Sequence, residues 1–251
     1  MTIERIDFRT GIFYLGDCFD VMATLPSEAA DMVLCDLPYG TTQNKWDSVL
    51  PLDRLWLDYW RLLKSNGPAV LTAAQPFTTV IGASQLAALR YSWVWSKARP
   101  VGHLNAKKRP MAAHEDILVF GRGGETYNPQ GLVYSPKINR RSTSGDNYGK
   151  AGTENVSEFS GYPRSVLEFD TAQAGKVHPT QKPVALFEYL IRTYTNPGEL
   201  VLDNTAGSGT TAIAAIQSGR RWVCIERDQT YFEKAIARVW EAEQIDPAVN
   251  L

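Results

Sequence analysis

The chain has 251 residues, 44% of them hydrophobic, and a net charge of −1, so it is long enough for one large core, or a core with a modest insertion. No apolar run approaches the roughly 20 residues of a membrane span. The start MTIERIDF lacks the apolar stretch of a secretory signal, so a cytoplasmic, single-domain protein is expected. Cys18, Cys35 and Cys224 are odd in number, far apart and flanked by apolar residues. That argues against a disulfide framework and a zinc site and fits small buried hydrophobes.

In chain order, strand-like runs rich in Val, Ile, Leu and aromatics fall at Ile12–Leu15, Met32–Asp36, Ala69–Thr72, Tyr91–Trp95, Ile117–Phe120, Leu200–Asp203 and Trp222–Glu226. Helical patterns lie between several of them. Leu52–Leu63 repeats apolar residues at three and four and stops near Asn66-Gly67. Pro183–Tyr194 starts with proline and stops before Asn196-Pro197-Gly198. The alternation predicts an α/β fold with a mostly parallel sheet. Residues 121–177 break the pattern: rich in Gly, Ser, Asn, Thr and Pro, they are too long for a plain connection and read as either disordered or a functional insertion.

Charge is unevenly spread. Between Arg90 and Arg141 ten basic residues face three acidic ones, leaving the remainder acidic. A basic middle on an acidic body suits a phosphate backbone, and a solvated basic face with no partner is the bland alternative.

The stretch LVLDNTAGSGTTAIAAIQSGRRWVCIERD joins an apolar strand ending at Asp203, a turn at Gly207-Ser208-Gly209, an Ala/Ile-rich helix and a second strand ending in Glu226. Glycines let backbone approach a ligand, and an acid closing the second strand can accept hydrogen bonds from ribose hydroxyls, so the unit looks nucleoside-binding. Gly207-x-Gly209-x-x-Ala212 also fits the dinucleotide fingerprint. Position argues against a dinucleotide, because too little chain follows to complete a βαβαβ half. The sheet must then be completed by N-terminal strands, which is a permuted order.

At the other end, Asp36-Leu37-Pro38-Tyr39 closes the run Met32–Cys35. Asp36-Leu-Pro-Tyr resembles the DPPY motif of AdoMet-dependent amino methyltransferases, and Asp203-Asn-Thr-Ala-Gly-Ser-Gly-Thr-Thr resembles their AdoMet turn. LGD ending at Asp17, WSK at Trp95–Lys97, AHEDILVFGR at Ala113–Arg122 and HPTQKP at His178–Pro183 are similar to further motifs of the β-class DNA enzymes, in the same order. The resemblance implies a Rossmann-like methyltransferase sheet in circularly permuted order. Residues 1–122 would form the catalytic half, 123–177 a target-recognition insertion and 178–251 the AdoMet-binding half.

The resemblance also assigns roles. An exocyclic amino group is a poor nucleophile because its lone pair is delocalised into the ring. Asp36 and the backbone carbonyl of Leu37 would hold its hydrogens, Pro38 stiffens the motif, and Tyr39 would stack on a base flipped out of a duplex. No metal and no covalent nucleophile is required. Leu37 stands where the family usually has proline, but Pro38 still biases it toward extended angles. Glu226 would bind the AdoMet ribose and Asp17 meet the adenine ring. Asp203, Thr205, Ala206, Gly207, Ser208 and Gly209 would shape the turn around the cofactor, with His178, Thr180 and Lys182 near the methionine end. HPTQKP also reads as a loop and helix start. Trp46 is open to two roles, anchoring a mobile loop over the target pocket or plain packing.

Lys107, Lys108, Arg109, Arg140 and Arg141 are the phosphate-contact candidates for double-stranded DNA, and the 123–177 insertion supplies Asn, Arg and Ser for base edges. Glu154-Asn155-Val156 is similar to a motif of carbon-5 cytosine enzymes. Those need a Pro-Cys nucleophile, and no cysteine here follows proline. A leading acid in the catalytic motif goes with N6-adenine in this family more than with N4-cytosine. The alternatives are N4-cytosine DNA, RNA adenine or protein amide methylation, and an inactive nucleic-acid-binding relative. The sequence leaves open the recognition site, a partnering restriction enzyme, and whether the chain is a monomer or a homodimer.

Overall fold

Residues 3–41, 47–140, 154–170 and 181–245 are described by a computed structural model. In chain order the strands are β1 (Glu4–Asp7), β2 (Gly11–Leu15), β3 (Met32–Asp36), β4 (Ala69–Ala73), β5 (Leu89–Val101), β6 (Ala112–Phe120), β7 (Val133–Arg140), β8 (Glu154–Ser160), β9 (Val166–Phe169), β10 (Leu200–Asp203) and β11 (Arg221–Glu226). The helices are α1 (Cys18–Thr24), α2 (Leu52–Leu62), α3 (Phe77–Ser84), α4 (Val184–Tyr194), α5 (Thr210–Gln217) and α6 (Gln229–Ile245).

The main sheet runs β1-β2-β11-β10-β3-β4-β6-β5-β9. Its centre, β2-β11-β10-β3-β4, is wholly parallel, while β1 and β6 pair antiparallel to their neighbours. The C-terminal strands β10 and β11 therefore sit between the N-terminal strands β3 and β2, the permuted order expected from the sequence. Parallel pairing also places the C-terminal ends of β2, β11, β10 and β3 on one edge of the sheet, where ligands bind in open α/β folds.

Alternation along the central strands builds a core on each face. Met32 and Leu34 of β3, Val70 of β4, and Trp222 and Cys224 of β11 pack with Leu190 of α4, Ala215 of α5 and Val239 of α6. Val33 and Cys35, Leu71, and Val223 and Ile225 from the same strands pack with Val21 of α1, Trp56 and Tyr59 of α2 and Ile81 of α3. The run of alanines in α5 lets it lie close to its neighbours, with Ala212, Ala214 and Ala215 fully buried.

All seven strand-like runs of the sequence lie within observed strands, and both helical patterns correspond to α2 and α4. The irregular stretch holds more structure than its composition suggests. The described residues within Pro129–Arg164 form a separate compact unit containing the β7–β8 hairpin, with Tyr134 opposite Phe159 and Ile138 opposite Val156. Val166–Phe169 instead pairs parallel with β5 as an edge strand of the main sheet. No alternation marks the hairpin because its side chains are largely exposed on both faces: Val133, Tyr134, Ile138 and Val156 are all open to solvent.

Gly11 begins β2 directly over Trp222, and a Cβ there would overlap the indole. Gly11→Ala is expected to cost about 1–3 kcal/mol by overpacking. Urea unfolding would show this as a lower midpoint with an unchanged slope.

Candidate active site

Asp36 is the last residue of β3, and its register partner on β4 is Thr72. Its carboxylate is gripped from three sides. Thr72 Oγ1 donates to Oδ1 at 2.5 Å, Tyr39 Oη donates to Oδ1 at 2.8 Å, and Lys182 Nζ donates to Oδ2 at 2.7 Å. A carboxylate offers about four lone-pair positions, so about one is left for another donor. Behind Lys182 stands Glu115 of β6, whose Oε2 lies 3.2 Å from Lys182 Nζ and whose Oε1 takes Lys97 Nζ at 2.5 Å.

Two cations and two anions thus form a chain in which Lys97, Glu115 and Lys182 have side chains 8%, 13% and 6% exposed, against 23% for Asp36. Of the two carboxylates in this chain, Asp36, which the sequence points to, is the more exposed. Burial pulls the Lys182 ammonium toward neutrality, but Asp36 and Glu115 hold its pKa above the ordinary lysine value, so it stays charged. Burial likewise works to raise Glu115, and Lys182 and Lys97 outweigh it, keeping that carboxyl below its usual range. Tyr39 is pushed well up, by burial first and then by Asp36 and Glu115, so its hydroxyl remains a donor.

The rest of the motif is less free than its sequence implies. Leu37 is buried in the core on the α1–α3 face. One face of the Tyr39 ring stacks on Phe77, with centroids 5.3 Å apart and planes 19° apart, and Lys182 Nζ lies 5.5 Å from the ring centroid.

At the end of β10 the chain turns through Asn204-Thr205-Ala206 into Gly207 and Gly209, both at positive φ. Asp203 is buried, with Oδ1 accepting from Thr205 N at 3.0 Å and Oδ2 from the Thr211 hydroxyl. Burial pushes its pKa up to about 7. Asn204 Oδ1 accepts from Tyr59 Oη at 2.6 Å and from Cys35 Sγ at 2.9 Å, while its Nδ2 is buried without a hydrogen-bond partner among the described residues. Glu226, closing β11, accepts from Gly207 N at 2.8 Å on Oε2 and from Arg227 N and Asp228 N on Oε1. Burial raises its pKa against those three bonds. Asp17 caps α1, accepting from Phe19 N at 2.9 Å.

A cleft of about 480 Å³ brings these groups together. It is lined by Asp36, Leu37, Pro38 and Tyr39, and by Asp17, Lys182, Asp203, Thr205, Ala206, Gly207, Ser208 and Glu226. Gly209 caps α5 just outside it, where its Cα faces Ala235 and Phe13. His178, Thr180, Arg141 and Trp46 lie outside the described residues, as does the side chain of Arg140. Lys107, Lys108 and Arg109 are exposed between β5 and β6, whose Trp95, Lys97, Val101, Ala112, His114 and Glu115 line the same cleft. Motif reading gave no role to Thr72, Lys97 or Glu115. The available signal was charge inside otherwise apolar strands, at Trp95-Ser-Lys97 and His114-Glu115-Asp116.

Residues 30–237 match the N6/N4 methyltransferase family described as DNA methylase. The chain is 28% identical over 243 residues to the DNA adenine methyltransferase YhdJ of Escherichia coli (strain K12), covering 89% of this chain and 81% of that protein. Among solved structures, the M1.HpyAVI–SAM complex superposes with a TM-score of 0.63 at 23% identity, covering 90% of this chain and 98% of that one. The cytosine-N4-specific PvuII DNA methyltransferase superposes with a TM-score of 0.65 at 16% identity, covering 94% and 92%. The chain belongs to the N6/N4 DNA methylase family.

With Asp203 held up at about 7 and ionising at about 4 in an unfolded chain, the folded protein carries the extra proton between those values. Stability then falls as pH rises through that window, by up to about 1.4 kcal/mol per pH unit. Asp203→Asn removes this contribution, so its urea midpoint should rise relative to the wild type's as pH goes from about 4 to 7. Equal slopes in the two proteins would contradict the assignment.

Proposed function

We propose that the chain transfers the methyl group of S-adenosyl-L-methionine to the exocyclic amino nitrogen of a base flipped out of duplex DNA, with adenine N6 as the target. The observation that carries this reading is the shared cleft: Asp36 ends β3, the glycine turn follows β10, and the two strands are parallel neighbours.

The residues present fit the cofactor. The cleft volume lies in the usual range for small-molecule sites. Glu226 has three of its acceptor positions filled by backbone N–H groups, leaving about one for a ribose hydroxyl. Asn204 Nδ2 is a buried donor in want of an acceptor. Gly207 at positive φ opens the turn to close approach. When bound, AdoMet supplies an electrophilic methyl group on a sulfonium. Asp17 would meet its adenine end, and Thr205, Ala206 and Ser208 its body. His178 and Thr180 would close the methionine end by resemblance.

The chain's own part is to prepare the amino nitrogen. Asp36, steadied by Thr72 and Tyr39, accepts one amino hydrogen, and the Leu37 carbonyl accepts the other. Both bonds strengthen as positive charge grows on nitrogen, which lowers the barrier. The Tyr39 ring, braced by Phe77, would offer a stacking surface at the mouth of the cleft. The exposed Lys107, Lys108 and Arg109, with Arg140 and Arg141, would contact phosphates. Pro129–Arg164, within the 123–177 stretch, would read base edges.

Adenine is favoured by the acid that opens the motif and by the likeness to an enzyme described as a DNA adenine methyltransferase. The likeness in fold to a cytosine-N4-specific enzyme keeps cytosine N4 as the second reading. Sequencing DNA from cells that express the chain, with detection of modified bases, gives base and site together; N6-methyladenine in a fixed sequence is expected. Asp36→Ala should lower transfer by at least about 100-fold, the scale of losing an oxyanion-type contact, while leaving AdoMet binding measurable by calorimetry. Near-normal turnover in that variant would rule out the role given to Asp36. Leu37→Pro should leave transfer within about tenfold, because Pro38 already restricts position 37; a larger gain would mark the native motif as impaired.

A further inference from the structure

We propose that Lys182 reads the target base: its ammonium donates to the ring nitrogen beside the amino group that Asp36 holds. This rests on the methyl-transfer reading above and adds a base-selecting contact to it.

The geometry is that of a two-point reader. An ammonium has three protons. Those of Lys182 have two acceptors among the described residues, Asp36 Oδ2 at 2.7 Å and Glu115 Oε2 at 3.2 Å, so a third proton is left for a ligand. Lys182 lines the cleft with Asp36, and its Nζ sits over the Tyr39 ring on which a base would stack. Glu115, fixed in turn by Lys97 at 2.5 Å, holds Lys182 against Asp36. Acceptor and donor therefore stand 2.7 Å apart, comparable with the spacing of an amino nitrogen and the neighbouring ring nitrogen on a base.

That pairing has a chemical consequence. Adenine presents its N6 donor beside the N1 acceptor, and cytosine its N4 donor beside the N3 acceptor; both match a carboxylate beside an ammonium. Guanine presents O6 beside N1–H and thymine O4 beside N3–H, which would set oxygen against carboxylate and N–H against ammonium. A buried site with mismatched polar groups rejects the wrong ligand strongly. Approached along the Watson–Crick edge, the quartet thus matches adenine and cytosine and mismatches the O6/N1–H pair of guanine and the O4/N3–H pair of thymine. Within the pair A and C it does not choose.

The resemblance implies a place for Lys182 near the methionine end of AdoMet. In the structure two of the chain's own carboxylates already hold it, at the amino-group end of the cleft.

The test uses the full chain and a duplex carrying its mapped site, with adenine or 1-deazaadenine at the target position. If the site proves to be cytosine, 3-deazacytosine takes that place. The analogue keeps the amino group and lacks only the ring acceptor. Wild-type kcat/KM should fall by about tenfold or more on the analogue, the scale of a charged donor left unpaired in a buried site. In Lys182→Met the adenine to deazaadenine ratio should approach one. Should that variant turn over too slowly, the same ratio is read from Kd for the two duplexes in the presence of sinefungin. Wild-type indifference to the ring nitrogen would overturn the assignment, and so would an equal ratio in wild type and variant. Absence of transfer to the unmodified duplex would instead remove the methyltransferase reading itself.

Discussion

The parallel pairing of β10 with β3, Val201 against Met32 and Leu202 against Val33, is the constraint from which the site follows. The two strands are far apart in sequence and adjacent in the sheet. Because they run the same way, both end on the same edge, and whatever follows each must share one crevice. Asp36 follows one and the glycine turn follows the other. Asp31 reinforces the register at the opposite end: its carboxylate accepts from Leu200 N at 2.8 Å and from Lys64 Nζ at 2.6 Å, tying the starts of both strands to the end of α2.

The electrostatics of the cleft suit chemistry better than stability. Lys97, Glu115, Lys182 and Asp36 are charge-balanced, and burying such a chain gains little over an apolar core of equal volume. What it provides is orientation. Each charge fixes the next, ending at a carboxylate whose other oxygen is held by two hydroxyls. A group held from that many directions needs little rearrangement when charge develops beside it, which is how fixed dipoles lower a barrier. The neighbouring carboxyl, Asp203, is buried with no cation among its contacts with the described residues and instead takes Thr205 N and the Thr211 hydroxyl. Its raised pKa reflects that difference.

Much of this was legible in the residues, for physical reasons. Strands buried on both faces, such as Met32–Cys35 and Trp222–Ile225, read as apolar runs ending in an acid, and the acid marks the sheet edge. Glycine at 207 and 209 marks a turn that only permissive residues can make. The β7–β8 hairpin was hidden because a ribbon without a buried face carries no alternation. β9 was hidden because Val166-Leu-Glu-Phe169 is short and lies at the sheet edge, paired on one side with β5. Glu115 and Lys97 were visible only as charges within strands, and their partner Lys182 arrives from a loop 67 residues beyond Glu115 in the numbering. Such pairing depends on tertiary contact, which local pattern does not encode.

The central claim is that the carboxylate and the methyl-donor site face each other closely enough to act on one nitrogen. A conjugate that joins the adenine amino nitrogen by a short linker to the aminobutyrate and adenosine portions of AdoMet spans that gap in one molecule. Titration calorimetry should find it bound about 100-fold or more tighter than AdoMet alone, the gain expected when two adjacent sites are occupied by one ligand, with most of the gain lost in Asp36→Ala. Binding no tighter than AdoMet, or equally tight in both proteins, would contradict the account.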